Sequence, residues 1–132
     1  MPSRTVVILG GGVGGIITAN DLRQRLSNEH RIVLVERNAE HAFAPSFLWL
    51  MTGDRTPRQV RRPLIQLLRT GVEFVHGSAE GLDLNRLRIV TSAGDISYDY
   101  LVVALGAELA QRPFLGLPMA LRPSTRSMGH PA

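Results

Sequence analysis

The apolar positions of this chain fall into short unbroken runs separated by polar or glycine-rich breaks. Val6, Val7, Ile8 and Leu9 form the first, led by β-branched residues, as expected of a parallel strand buried on both faces. After a polar break at 27–31, Ile32, Val33, Leu34 and Val35 repeat the pattern and end on Glu36. Residues 72–75 predict a third strand, and residues 100–105 a further one that stops at Gly106. Between the first two strands the period changes. Gly15, Ala19, Leu22 and Leu26 are spaced four, three and four apart, one stripe of an amphipathic helix, with Asn20, Asp21, Arg23, Gln24 and Arg25 on its other side. A second helix is expected over 57–69, with Pro57 at its start, Val60, Leu64, Leu67 and Leu68 on one side and Gly71 beyond its end. Residues 87–91 and 95–98 flank Ser92-Ala93-Gly94 as the arms of a hairpin.

What joins the first strand to the first helix carries the chemistry. Gly10, Gly12 and Gly15 stand in the spacing G-x-G-x-x-G. The first glycine lets the chain turn sharply, the second lets backbone approach a pyrophosphate, and the third lets the helix lie against the strand. The helix start then offers free N–H groups and a positive dipole end to phosphate. Glu36 ends the second strand twenty-one residues past Gly15, where an acid accepts hydrogen bonds from a ribose diol. A glycine-rich turn that binds nothing is the plain alternative, but strand, glycines, helix, strand and acid in register favour dinucleotide binding. Arg37 beside Glu36 admits a 2′-phosphate site. Because the acid would repel that phosphate, a solvated or adenine-flanking arginine is the better reading.

The order strand, helix, strand, helix, strand, small β excursion, strand predicts an α/β fold: a doubly wound parallel sheet of the Rossmann-like, FAD/NAD(P)-binding kind with an inserted β meander. Ligands bind such sheets at the carboxyl ends of the strands, here near Gly10, Glu36, Ala79 and Gly106.

With 132 residues, 44% of them hydrophobic, the chain is about one globular domain. All fifteen basic Lys and Arg positions are arginine, and the net charge is +4. The densest basic stretch, Arg55, Arg58, Arg61 and Arg62, has no interleaved aromatic residue for base stacking, so it reads as a solvated face and no nucleic-acid partner is expected. No cysteine is present, which removes disulfides, thiolate metal sites and a dithiol redox centre from these residues. The four histidines, His30, His41, His76 and His130, have no ligand spacing, so no metal is expected. No run of about eighteen apolar residues exists that could span a membrane. Between 38 and 56 the pattern is ambiguous: Phe43, Pro45, Phe47, Trp49 and Met51 are compatible with a strand, with a cover over a flat ring, and with a hydrophobic loop packed on the core.

Residues 6–109 resemble the N-terminal FAD-binding portion of the pyridine nucleotide-disulfide oxidoreductase superfamily. The matching pieces are VVILGGGVGG, the acid in LVER, GVEFVHGSA, and YDYLVVALG, with Leu105 where that superfamily commonly has threonine. The stretch AFAPSFLWLMTG is most similar to the sulfide:quinone oxidoreductase branch. The resemblance implies FAD as cofactor, with Gly10, Gly12, Val13, Gly14 and Gly15 on the pyrophosphate side and Glu36 on the adenosine ribose. It implies Ala79 at the adenine, Ala104 and Gly106 near the ribose and pyrophosphate side, and Pro45 with Ser46 near the isoalloxazine. It also implies an oxidoreductase of sulfide:quinone or NADH:quinone type, cytoplasmic or peripheral on a membrane, with electrons passing through the flavin.

Several features depart from that pattern: no redox cysteine pair, no second nucleotide-binding domain and no later flavin motif. The expected organisation is therefore a binding domain over 1–109, incomplete at its C-terminal end, and a disordered or truncated tail over 110–132. A complementary chain or an oligomer is then expected to cover the edge strand. The alternative is a stand-alone nucleotide-binding module or an inactive remnant, since no acid, base or nucleophile is identifiable.

Overall fold

In a computed structural model, which describes residues 2–107, the four expected strands become one parallel sheet. Its order is β5 (Val72–His76), β2 (Arg31–Glu36), β1 (Thr5–Leu9), β9 (Tyr100–Val103). Val7 stands opposite Val33 and Leu101, and Leu34 opposite Phe74. The two-residue period sends Val7, Leu9, Val33 and Val35 into one core layer and Ile8, Ile32 and Leu34 into another. Both layers are covered, which is why neither strand alternates with polar residues.

The second layer is covered by α1 (Val13–Arg25), through Ala19 and the partly buried Ile16, Leu22 and Leu26. The first layer is covered by a three-stranded antiparallel sheet of β6 (Ala79–Asp83), β7 (Arg88–Thr91) and β8 (Gly94–Ser97). Ile89, Ile96 and Tyr98 pack there on Val7, Val33 and Val35. The inserted meander thus fills the place a crossover helix takes elsewhere in such folds. Its third strand, β6, was not legible: Ala79-Glu80-Gly81-Leu82-Asp83 is largely exposed, without an apolar period, and is held by its ladder to β7. Among the described residues, β9 pairs only with β1, and Tyr100 and Val103 on it are exposed.

The helix expected over 57–69 is not formed. Residues 57–60 make a turn, β4 (Arg61–Pro63) pairs antiparallel with β3 (Glu40–Ala42), and only the single turn α3 (Leu64–Leu67) is helical. Pro63 explains this. It would lack the N–H that a helix interior needs, and its ring biases Arg62 toward extended backbone; it serves instead as the residue before α3. The ambiguous stretch resolves into a 3₁₀ turn at Ala44–Ser46 and a short α2 (Phe47–Met51) that buries no residue. Arg23, expected on the polar side of α1, is buried: its guanidinium donates to the carbonyls of Leu26, Ser27 and His30 and satisfies the helix's C-terminal end. The expectation for 110–132 lies outside the described residues.

At the amino ends of β1 and β9, Asp99 accepts a hydrogen bond from the Thr5 N–H (2.7 Å) and one from the Arg4 guanidinium (3.0 Å). The backbone bond first, and Arg4 second, hold its carboxyl below the usual aspartate value. A folded-state pKa below the unfolded one gives stability that is present above the unfolded value, near pH 4, and lost as pH falls through the folded value. Asp99→Asn should therefore melt below the parent at pH 7, with the gap closing as melts are repeated below about pH 4. A gap independent of pH would mean that the carboxylate is not the source.

Candidate functional site

The carboxyl ends of β1, β2 and β9 meet at the glycine turn. Gly10 donates its N–H to the Val35 carbonyl (2.9 Å) and the Ala104 N–H bonds to Leu9 O (2.7 Å), so the turn begins directly beyond β1 with neighbours on both sides. Gly10 has φ +109°, and a Cβ there would overlap the carbonyl of Ala104. A Cβ on Gly15 would overlap the Gly10 carbonyl oxygen, and one on Gly11 would lie 2.8 Å from both Glu36 Cγ and Leu64 Cδ2. Around Gly12 and Gly14 no atom lies within 4 Å of the corresponding position. Three glycines are therefore enclosed by protein and two face open space. Gly12 is also the N-cap of α1, with no side-chain cap and no acid in the first turn, so donors of that turn are left for an anion.

Glu36 closes the turn from β2. Its Oε2 accepts the Gly11 N–H at 2.6 Å, and Oε1 accepts the backbone and side-chain N–H groups of Asn38 at 3.0 and 3.2 Å. A carboxylate has about four lone-pair directions, so one remains for a hydroxyl. His41 meets the Gly11 carbonyl at 3.1 Å; because a carbonyl only accepts, Nδ1 carries the proton. Gly77 N–H donates to Glu36 O (3.0 Å) and His76 Nε2 donates to Arg37 O (2.9 Å), fixing the end of β5 beside the end of β2.

These elements border a cleft of about 1070 Å³. Of the expected site residues, Gly10, Gly12, Glu36, Arg37, Ala79 and Gly106 line it together. Val13 and Ser46 instead line a separate, mostly apolar cavity of about 400 Å³ with Ile16, Ile17 and Phe43. Ser46 is buried, and its Oγ accepts from Arg55 (3.3 Å), whose guanidinium lies 4.6 Å from the centre of the Trp49 ring. Gly14, Gly15, Pro45 and Ala104 line neither space. Gly14 is exposed on α1, Gly15 is packed under the turn, and Ala104 forms the turn's wall. Sequence reasoning missed Gly11, Asn38, His41, Arg61 and Ser78, all of which line the cleft. Three consecutive glycines could have pointed to Gly11; the β3–β4 ribbon carried no apolar signal. Among the described residues no cluster of three or more acids and histidines could hold a metal, and no helix is long and apolar enough to cross a membrane.

A parallel sheet with an open glycine at a helix start and an acid ending the next strand defines a dinucleotide-binding protein of the Rossmann-like class. The family model of the pyridine nucleotide-disulphide oxidoreductases matches residues 4–126, and the chain belongs to that family, whose members are FAD-binding flavoproteins. The sulfide-quinone reductase of Aquifex aeolicus (strain VF5) is 38% identical over 109 residues, 81% of this chain and 25% of that protein. The type II NADH:quinone oxidoreductase of Staphylococcus haemolyticus (strain JCSC1435) is 30% identical over 107 residues, 80% of this chain and 27% of that one. The crystal structure of the Aquifex aeolicus sulfide:quinone oxidoreductase superimposes with a TM-score of 0.72 at 35% identity, over 83% of this chain and 26% of that one. The chain thus spans about a quarter of the length of these relatives.

Proposed function

We propose that this chain binds FAD in the cleft and belongs to a flavin-dependent oxidoreductase of sulfide:quinone or NADH:quinone type. The observation that carries the reading is the pairing of an open, uncapped Gly12 with Glu36 across one cleft, in a chain similar to enzymes of both types. The residues fit the ADP half of the cofactor. Gly12 and the first turn of α1 would hold the pyrophosphate, and Glu36 would take a ribose hydroxyl on its remaining lone pair. The small residues Ala79 and Gly106 leave room at the two ends of the cleft. Bound flavin would supply the redox chemistry, accepting an electron pair from the donor and passing it to a quinone. A quinone acceptor resides in lipid, so this reading sets the working enzyme against a membrane surface. The described residues bind and orient the cofactor.

The test is titration of the chain with FAD, ADP and ADP bearing a 2′-phosphate, followed by flavin fluorescence and thermal shift. FAD and ADP should bind, while the 2′-phosphate analogue should be rejected by roughly a hundredfold or more, because Glu36 lies where that phosphate would go. Glu36→Ala should weaken ADP by roughly ten- to hundredfold. Binding of neither FAD nor ADP, or equal binding of the 2′-phosphate analogue, would overturn the reading. Bleaching of the bound flavin by sulfide or by NADH would identify the donor.

A further inference from the structure

We infer that Arg61 is a second phosphate contact, reaching the pyrophosphate from the β3–β4 wall of the cleft. The inference rests on the dinucleotide reading of that cleft and adds to it a residue outside the glycine motif. The β3–β4 ribbon runs along the cleft and is tied to the glycine turn by the His41 to Gly11 bond. Its register decides which side chains face inward. Ala42 is paired with Arg61, and directly opposed residues of an antiparallel pair share a face. Glu40, two residues from Ala42, shares it as well. Glu40, Ala42 and Arg61 accordingly line the cleft and Arg62, one residue on, lines the smaller apolar cavity, while His41, paired with Arg62, borders both spaces with its ring on the Gly11 carbonyl.

Charge and reach agree with this placement. The partner across the ribbon from Arg61 is an alanine, which leaves the guanidinium lateral room. The one ion pair Arg61 makes among the described residues is to Glu40 at 3.9 Å, with both side chains more than half exposed. A long, exposed pair of this kind is worth little. A pyrophosphate offers two negative charges and bidentate geometry matched to a guanidinium, so exchanging the carboxylate for phosphate oxygens is favourable. The glycine turn supplies backbone N–H donors from one side. Arg61 supplies a full positive charge from the ribbon wall.

The full chain should be compared with Arg61→Met, Arg62→Met and Glu40→Gln by calorimetry with ADP, and by ligand-observed NMR with adenosine, which lacks phosphate. Arg61→Met should weaken ADP roughly tenfold, the loss of one charge-assisted hydrogen bond, leave adenosine unchanged, and make ADP binding less sensitive to salt. Arg62→Met should match the parent. Glu40→Gln should tighten ADP modestly, because it removes a negative charge from the cleft wall beside the phosphates. Unchanged ADP affinity in Arg61→Met, or an equal loss of ADP and adenosine, would overturn the role while leaving the cleft reading intact. A parent chain that binds neither ligand would remove the cleft reading and this role with it.

Discussion

Gly15→Val abolishes the cooperative fold. The first atom of the new side chain would overlap the carbonyl oxygen of Gly10, and both groups are backbone held from several directions. Gly10 is fixed by its bond to Val35 and by the wall formed at Ala104, and Gly15 sits in the buried stripe of α1 with Ala19. Relief would require α1 to lift from the sheet, opening the layer in which Ala19 packs with Ile8, Ile32 and Leu34. The expected loss exceeds about 4 kcal/mol, which is exceptional for a single substitution and comparable to the roughly 5–15 kcal/mol that holds a domain together. Urea unfolding followed by circular dichroism would show it. A variant melting within a few degrees of the parent would mean that the helix does not rest on the turn at Gly15. Gly14→Ala, one residue earlier and facing open space, is the control: it should gain up to about 1 kcal/mol, since alanine is the better helix former.

The same substitution three residues earlier should do the opposite. Gly12→Val leaves the fold intact and removes the ligand. Gly12 has φ −75° and ψ −173°, extended backbone that valine adopts readily, and no atom of the protein lies within 4 Å of the added carbon. Stability should fall by no more than about 2 kcal/mol, the range of N-cap preferences. The open space at Gly12 is where a pyrophosphate approaches the first turn of α1, so a branched side chain would separate phosphate from the backbone donors. Losing two charge-assisted bonds lowers FAD and ADP affinity by roughly a hundredfold or more. Equal affinity in parent and Gly12→Val would refute the phosphate role of this turn even if the protein folds normally. Together the two valines separate what the motif does for the fold from what it does for the ligand.

The G-x-G-x-x-G spacing already divides those two roles between Gly12 and Gly15; what the sequence could not show is the space around each glycine, open at one and closed by backbone at the other. The inner strands β1 and β2 were legible because strands buried on both faces must be apolar throughout, the outer strands β5 and β9 because their short runs are apolar apart from Glu73, and all four came within a residue or two of the expected runs. Glu36 was legible because it ends one of them. The β3–β4 ribbon was not: Glu40-His41-Ala42 and Arg61-Arg62-Pro63 bury little, and the apolar spacing of Val60, Leu64, Leu67 and Leu68 imitates a helix that Pro63 forbids. Val60 and Leu64 are indeed buried, but a short strand, not a helix, lies between them. The ribbon's part of the cleft wall was therefore missed, Arg61 included, because an exposed ribbon leaves no hydrophobic period to read. Asn38 and His41 escaped for a related reason: Asn38 acts only by holding the Glu36 carboxylate through its backbone and side-chain N–H groups, and His41 through one bond to the Gly11 carbonyl far away in sequence.

Because β1, β2 and β9 are parallel, the sheet has a working rim and a handling rim. The cleft lies at the carboxyl ends of the strands, while residues 3–5 lie at the other end, with Ser3 bonded to the Glu29 carbonyl and Arg4 to Asp99. Five residues of strand separate the two rims, a span of about 17 Å at 3.4 Å per residue. An affinity tag, a surface tether or a fluorophore joined ahead of Thr5 therefore stands clear of any ligand in the cleft, and a dye there reports on binding only through longer-range energy transfer, never by direct contact.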